Sequence, residues 1–261
     1  MKILVCGKGG SGKSTISILL AKSLQKCGFN ILLVDTDESN YGLHRLLGVL
    51  PSKNLMDNLG GKKKFKKKIN PTYPLLSEES LFPDKMKISD IPKESLVQSE
   101  GLDLLVIGKI HNFGEGCACP MGVLSKMILS KMVLDDGQII IVDTEAGIEH
   151  FGRKVDAECD LILGIVDPTF ESFLLNKKIK DMAEKACIQY RSILNKVTYD
   201  IESIMLKNVD LDKIIGKIPY NNTLFMETLK GEKLKISSPE MDKISGLITD
   251  IIKRDSIQDQ L

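Results

Sequence analysis

Runs dense in Ile, Leu and Val recur along this chain and alternate with stretches whose apolar residues fall three and four apart. The runs KILVC, NILLVD, LDLLVIG, QIIIVD, DLILGIVD, YRSILNKV and KIIGKIP read as strands. Their near-continuous apolar content suits strands covered on both faces, which predicts a mostly parallel sheet with helices on either side. Ile16, Leu19, Leu20 and Leu24 keep helical spacing after the first run, and Gly28 stands where that helix should stop. Leu175, Ile179, Met182 and Ala186 repeat the pattern within Ser172 to Ile188. From about Leu50 to Ser99 the alternation fails, among several prolines and a lysine cluster, and that stretch is expected to be an elaborated crossover. With no internal repeat, residues 1–261 read as one α/β domain.

Composition changes this picture little. The chain is 43% hydrophobic and 27% charged with a formal charge of +1, so nothing global draws it to nucleic acid or membrane. No apolar run approaches the roughly 20 residues that span a bilayer, and the apolar start runs straight into a glycine-rich motif instead of a cleavage site. The expectation is a cytoplasmic protein that binds neither nucleic acid nor membrane. Six cysteines without a secretion signal argue against a disulfide framework, and most are expected to be small buried apolar residues. The run KKKFKKK, Lys62 to Lys68, carries one aromatic and belongs to no nucleic-acid module, so it reads as a solvated or partner-facing face. The amphipathic C-terminal segment ends in acids and amides, unlike a basic membrane-binding helix. His44 and His111 have no ligand spacing to another His or Cys, and no chemistry is assigned to His150.

The chemistry begins at GKGGSGKS, Gly7 to Ser14, which fits G-x-x-x-x-G-K-[ST] between a predicted strand and a predicted helix. Glycines in such a loop let backbone N–H groups surround phosphates, and the helix N-terminus adds a favourable dipole. Gly9, Gly10, Ser11, Gly12, Lys13, Ser14 and Thr15 are therefore the expected nucleotide-binding residues, with Lys13 on the β and γ oxygens of ATP and Ser14 on Mg²⁺. Asp143 ends the run IIIVD at a Walker-B-like position, where it is expected to hold the Mg²⁺ shell through water, and Gly147 completes a D-x-x-x-G spacing.

Lys8, in KGG directly after Gly7, is a second lysine in this loop and resembles that of the deviant P-loop ATPases, the nitrogenase iron protein, MinD and ParA. The resemblance implies that Lys8 reaches a partner subunit's nucleotide, so that hydrolysis depends on dimerisation. It implies that Asp37, in VDTDES, orients or deprotonates the attacking water; Asp35, at the end of the preceding strand, is by its position expected to support the strand end. It also implies adenine contacts from Asn195 in LNKV and Pro219 in IPYN, although Asn195 equally suits a loop cap.

GCACPMG places Cys117 and Cys119 one residue apart. Two thiolates hold a soft or borderline metal, but a closed site takes four ligands, and this chain has no C-x-x-C pair to complete one. The same two cysteines from a second copy across a two-fold axis would supply four sulfurs. Just beyond, VLSKMIL is expected to open a helix whose positive end favours thiolate.

Taken with KGGSGKS, Asp37, DTEAGIEH, LNKV and the IPYN to LKGE stretch, the C-x-C of GCACP resembles the CooC-type nickel-insertion ATPases that mature carbon monoxide dehydrogenase. Glu38 departs from that family, many of whose members have Pro after the switch aspartate. The resemblance implies an ATP-hydrolysing homodimer with nickel or zinc between Cys117 and Cys119 of both chains, and a client nickel enzyme such as carbon monoxide dehydrogenase. Two other readings stay open. A nitrogenase-iron-protein-like reductase would share a [4Fe-4S] cluster between subunits and needs a second cysteine, for which Cys159 is poorly spaced. A ParA- or MinD-like positioning ATPase would need neither Cys117 nor Cys119.

Overall fold

Alternate residues of a strand face opposite ways. In the computed structural model, β1 (Lys2–Gly7) accordingly sends Ile3 and Val5 into one buried cluster and Leu4 and Cys6 into another. The structure describes residues 1–69, 81–99, 101–111, 119–152, 155–235 and 238–258. Along the chain β1 is followed by α1 (Lys13–Lys26), β2 (Asn30–Asp35), α2 (Leu43–Leu47), α3 (Leu55–Asn58), α4 (Gly61–Ile69), β3 (Leu96–Ser99), β4 (Leu102–Val106) and α5 (Cys119–Lys131). Then come β5 (Gln138–Asp143), α6 (Glu149–Gly152), β6 (Leu161–Val166), α7 (Phe170–Lys185), β7 (Gln189–Val197), α8 (Glu202–Lys207), β8 (Ile214–Pro219), α9 (Asn222–Lys230) and α10 (Pro239–Gln258).

The strands form one eight-stranded sheet in the order β3-β4-β2-β5-β1-β6-β7-β8, parallel throughout except for β3 against β4. α1, α2 and α10 cover one face through Ile16, Leu20, Leu43, Ile244 and Ile248, while α3, α4, α5 and α7 cover the other through Met56, Phe65, Leu124 and Ile179. The seven strands legible in the sequence are all present. The eighth, β3, is an edge hairpin strand inside the expected crossover. Among the described residues no helix is long and apolar enough to cross a membrane. The apolar stripe of the C-terminal segment is used internally, with Ile244 and Ile248 of α10 buried in the layer that includes α1.

Both predicted helix ends are closed by the same device. Gly28, in the left-handed region at φ +92, donates to Gln25 O while Phe29 N donates to Leu24 O, and this double bond pattern stops α1. At α7 the bonds repeat, from Cys187 to Glu184 O and from Ile188 to Ala183 O, but the left-handed residue is Cys187 at φ +57. The helix therefore ends at Lys185, before the expected Ile188.

The lysine run is helical. In α4 Phe65 is fully buried while Lys63, Lys64, Lys66 and Lys67 are exposed. Like charges four residues apart oppose this helix, so its stability rests on the Phe65 anchor. Phe65→Ala is expected to cost about 3 kcal/mol, within the range for emptying a buried aromatic site, and urea denaturation at equilibrium measures it.

Candidate functional site

Strand order reverses around β1, whose neighbours are β5 on one side and β6 on the other. Ligands of open α/β sheets collect at such a reversal, beyond the carboxyl ends of the strands. Here β1 runs into the glycine loop, and β2 and β5 end level with each other, Asp35 paired in register with Asp143.

The loop from Gly7 to Ser14 curls because three glycines take positive φ: Gly7 at +150, Gly10 at +79 and Gly12 at +98. A side chain at Gly7 would meet the Ile165 carbonyl, so β1 and β6 can close together only with glycine there. Ser11 N donates to Lys8 O at 3.1 Å and tightens the curl. Lys13 is buried, and its ammonium reaches the Lys8 carbonyl only at 3.4 Å. The Ser11 hydroxyl is buried without a partner among the described residues. A buried cation and an unused hydroxyl inside a curl of backbone fit a phosphate chain. Lys8 is half-buried and Gly9 and Gly10 are exposed at the tip, while Gly147 N closes over Gly7 O at 3.2 Å.

Asp143 lies fully buried below the loop and accepts from Ser14 Oγ at 2.6 Å and Ser17 Oγ at 3.1 Å. Burial raises its pKa to about 6, against the opposing pull of the Ser14 hydroxyl and the Lys13 charge. The adjoining hydroxyl and carboxylate are hard oxygen donors of the kind Mg²⁺ takes, so the residues present fit that ion.

Asp35 is also buried, and desolvation lifts its pKa to about 7 although Lys109 counters it at 2.8 Å. Asp37 follows on the half-exposed turn. Its N–H donates to Asp35 Oδ1 at 3.1 Å, and its own Oδ1 accepts from Ser39 N at 2.9 Å and Ser39 Oγ at 2.6 Å. Asn40 then donates to Ser14 Oγ at 2.9 Å, bringing this turn onto the glycine loop.

On the other flank Asn195 donates to Ser11 O at 2.7 Å, and Lys196, at φ +59, donates to Gly10 O at 2.6 Å. Gly12, Thr15, Asn195, Pro219, Leu224 and Phe225 line a cleft beside the loop. The structure thus brings Lys8, Gly9 to Thr15, Asp37, Asp143, Asn195 and Pro219 to one end of the sheet. Asn40, Lys109 and Lys196 went unassigned in the sequence. Lys109 had one signal, a charge just beyond the carboxyl end of an apolar strand.

The helix after the cysteine pair starts earlier than expected. Cys117 lies outside the described residues. Cys119 is exposed and is the first residue of α5, which starts four residues before the expected VLSKMIL. Pro120 accounts for this, since its fixed φ suits the first helical turn, and Met121 and Leu124 bury the stripe that follows. Met121 packs against Gly108, beyond the carboxyl end of β4, so α5 begins at the same carboxyl end of the sheet as the glycine loop. The expectation that most cysteines are buried fails: Cys6 and Cys159 are buried, but Cys27, Cys119 and Cys187 are exposed. These three sit at helix ends. Cys159 is 6% exposed with its thiol directed to Val155 O, not presented as a surface ligand. Among the described residues no three His, Cys, Asp or Glu side chains cluster to hold a metal.

Residues 2–234 match the family model of the CobQ/CobB/MinD/ParA nucleotide binding domain. An uncharacterized ATP-binding protein of Methanocaldococcus jannaschii is 47% identical over 249 residues, spanning 95% of this chain and 100% of that one. The carbon monoxide dehydrogenase accessory protein CooC of Rhodospirillum rubrum is 29% identical over 264 residues, spanning 97% of each. Among solved structures, the septum site-determining protein MinD of Pyrococcus horikoshii, complexed with Mg-ADP, has a TM-score of 0.67 at 15% identity and covers 96% of both chains.

Proposed function

The chain belongs to the CobQ/CobB/MinD/ParA nucleotide-binding family and is a P-loop ATPase, and from that premise we propose that it is a nickel-carrying ATPase serving a client nickel enzyme such as carbon monoxide dehydrogenase. The observation that carries this reading is an exposed Cys119 opening α5 at the carboxyl end of the sheet, two residues after Cys117. The 29% identity to CooC over nearly the whole chain supports the class of client. The reading that shares an iron–sulfur cluster is less well supported, because Cys159 is buried in the core.

In this reading the backbone from Gly9 to Thr15 and the Lys13 ammonium bind the phosphates of ATP, and Asn195 and Pro219 border the base. Ser14 and Asp143 would hold Mg²⁺, Asp143 through water, and the ion when bound offsets charge on the β and γ oxygens. Asp37 orients the attacking water and accepts its proton on the carboxylate, while Lys8 of a second copy neutralises charge in the transition state. Cys117 and Cys119 of both copies grip one Ni²⁺ or Zn²⁺ as cargo. A metal held only between chains is released when they part, so hydrolysis and delivery share one two-state element.

Titration with Ni²⁺ followed by native mass measurement tests the shared site. One metal per two chains is expected, lost in Cys117→Ala and in Cys119→Ala. One metal per chain, or binding that survives loss of both thiols, would exclude it and favour a positioning ATPase.

A further inference from the structure

Lys109 emerges three residues beyond β4, yet its side chain is only 8% exposed. It donates to Asp35 Oδ2 at 2.8 Å and to the backbone carbonyl of Asp37. The other Asp35 oxygen accepts the Asp37 N–H at 3.1 Å. Both backbone polar groups of Asp37 are thus held by one buried ion pair. Backbone bonds brace the same junction on either side, Ile107 N to Asp35 O at 3.0 Å and Ile110 N to Glu38 O at 3.2 Å. Residues 107–110 therefore run as a splint along residues 35–38.

We propose that Lys109 is a positioning residue for ATP hydrolysis, fixing the Asp37 peptide so that its carboxylate meets the attacking water. Stability alone does not explain a charge pair here. Taking two ions out of water costs about as much as their attraction returns, and apolar side chains would close this end of the sheet as well. What an apolar pair cannot do is donate to the Asp37 carbonyl while accepting from its N–H. The proposal rests on the assignment of Asp37 given above, and it extends that assignment from the reacting turn to the neighbouring strand exit.

Lys109→Met is expected to lower kcat by about 10- to 100-fold, the scale of a displacement of about 1 Å at a reacting group. The KM for ATP and the Kd for a non-hydrolysable analogue should stay within about threefold, because Lys109 touches neither the glycine loop nor the base cleft. The double variant Lys109→Met/Asp35→Asn separates positioning from folding. It leaves no buried unpaired charge, so it should regain the Tm lost by the single variant, and the amide oxygen that replaces the Asp35 carboxylate still accepts from the Asp37 N–H. Its kcat should remain low, since the ammonium that bridged Asp35 to the Asp37 carbonyl is gone. Recovery of kcat together with Tm would make the pair merely structural and overturn the proposal, as would a folded Lys109→Met with full kcat. Asp37→Asn run in parallel keeps the two claims apart: full activity there refutes the assignment of Asp37, whereas loss there with a fully active Lys109→Met refutes Lys109 alone.

Discussion

Alanine at position 8 is expected to lower the kcat of ATP hydrolysis by about a thousandfold, the lower end of what a cation supplied in trans contributes to phosphoryl transfer. The Kd for nucleotide should change by less than about threefold, because an interaction made chiefly in the transition state adds little to ground-state binding. The structure makes this a clean substitution. Within one chain the glycine loop uses only the backbone of Lys8, whose carbonyl accepts from Ser11 N and Lys13 Nζ. Among the described residues no carboxylate pairs with its side chain, so truncation removes nothing that shapes the loop. Mixing decides whether the lysine acts across the proposed dimer. Lys8→Ala supplies intact Asp37, and Asp37→Asn supplies intact Lys8, so a heterodimer of two weak variants contains one complete site. Activity that returns on mixing places Lys8 in trans. A Lys8→Ala protein with wild-type turnover, or a mixture no better than its parts, would remove that role.

How much of this was legible depended on how local the signal was. The central strands β1, β2, β5 and β6 announce themselves because strands covered on both faces are apolar at nearly every position, and β4, β7 and the edge strand β8 still carry enough Ile, Leu and Val to show. β3 escaped because its four residues, LVQS, form an edge paired only with β4, and half of them are polar. The glycine loop was legible because its conformation demands glycine at fixed spacings. The end of α7 was not, since Cys187 takes the left-handed position that a glycine would have advertised. Phe65 illustrates the limit of reading charge: six lysines dominate the segment, and the single residue that fixes it is the one between them. The Lys109–Asp35 pair joins positions 74 residues apart. No periodicity reports such a contact, because it exists only once the sheet order has set β4 beside β2.

Gly12→Ala is expected to weaken nucleotide binding by about a hundredfold while leaving the fold standing. Two costs meet at this residue. Its φ of +98 lies in the left-handed region, where a Cβ costs about 1–2 kcal/mol. That Cβ would also collide with the amide of Asn195, which must then release Ser11 O, a further loss of about 1 kcal/mol for a hydrogen bond. Together these amount to about 2–3 kcal/mol, or roughly 30- to 150-fold in Kd. An unliganded loop can relax away from the strain, so the loss should fall on affinity and little of it on stability against urea. Gly10 supplies the control, since its φ is +79 but nothing stands within 4 Å of the added carbon. Gly10→Ala carries the backbone strain alone and should weaken binding by only about tenfold. A fluorescent ATP analogue titrated into both variants reads the difference. Equal losses would mean that Asn195 does not brace the loop in the nucleotide-bound state, and wild-type affinity in Gly12→Ala would mean that ATP is held by a loop conformation other than this one.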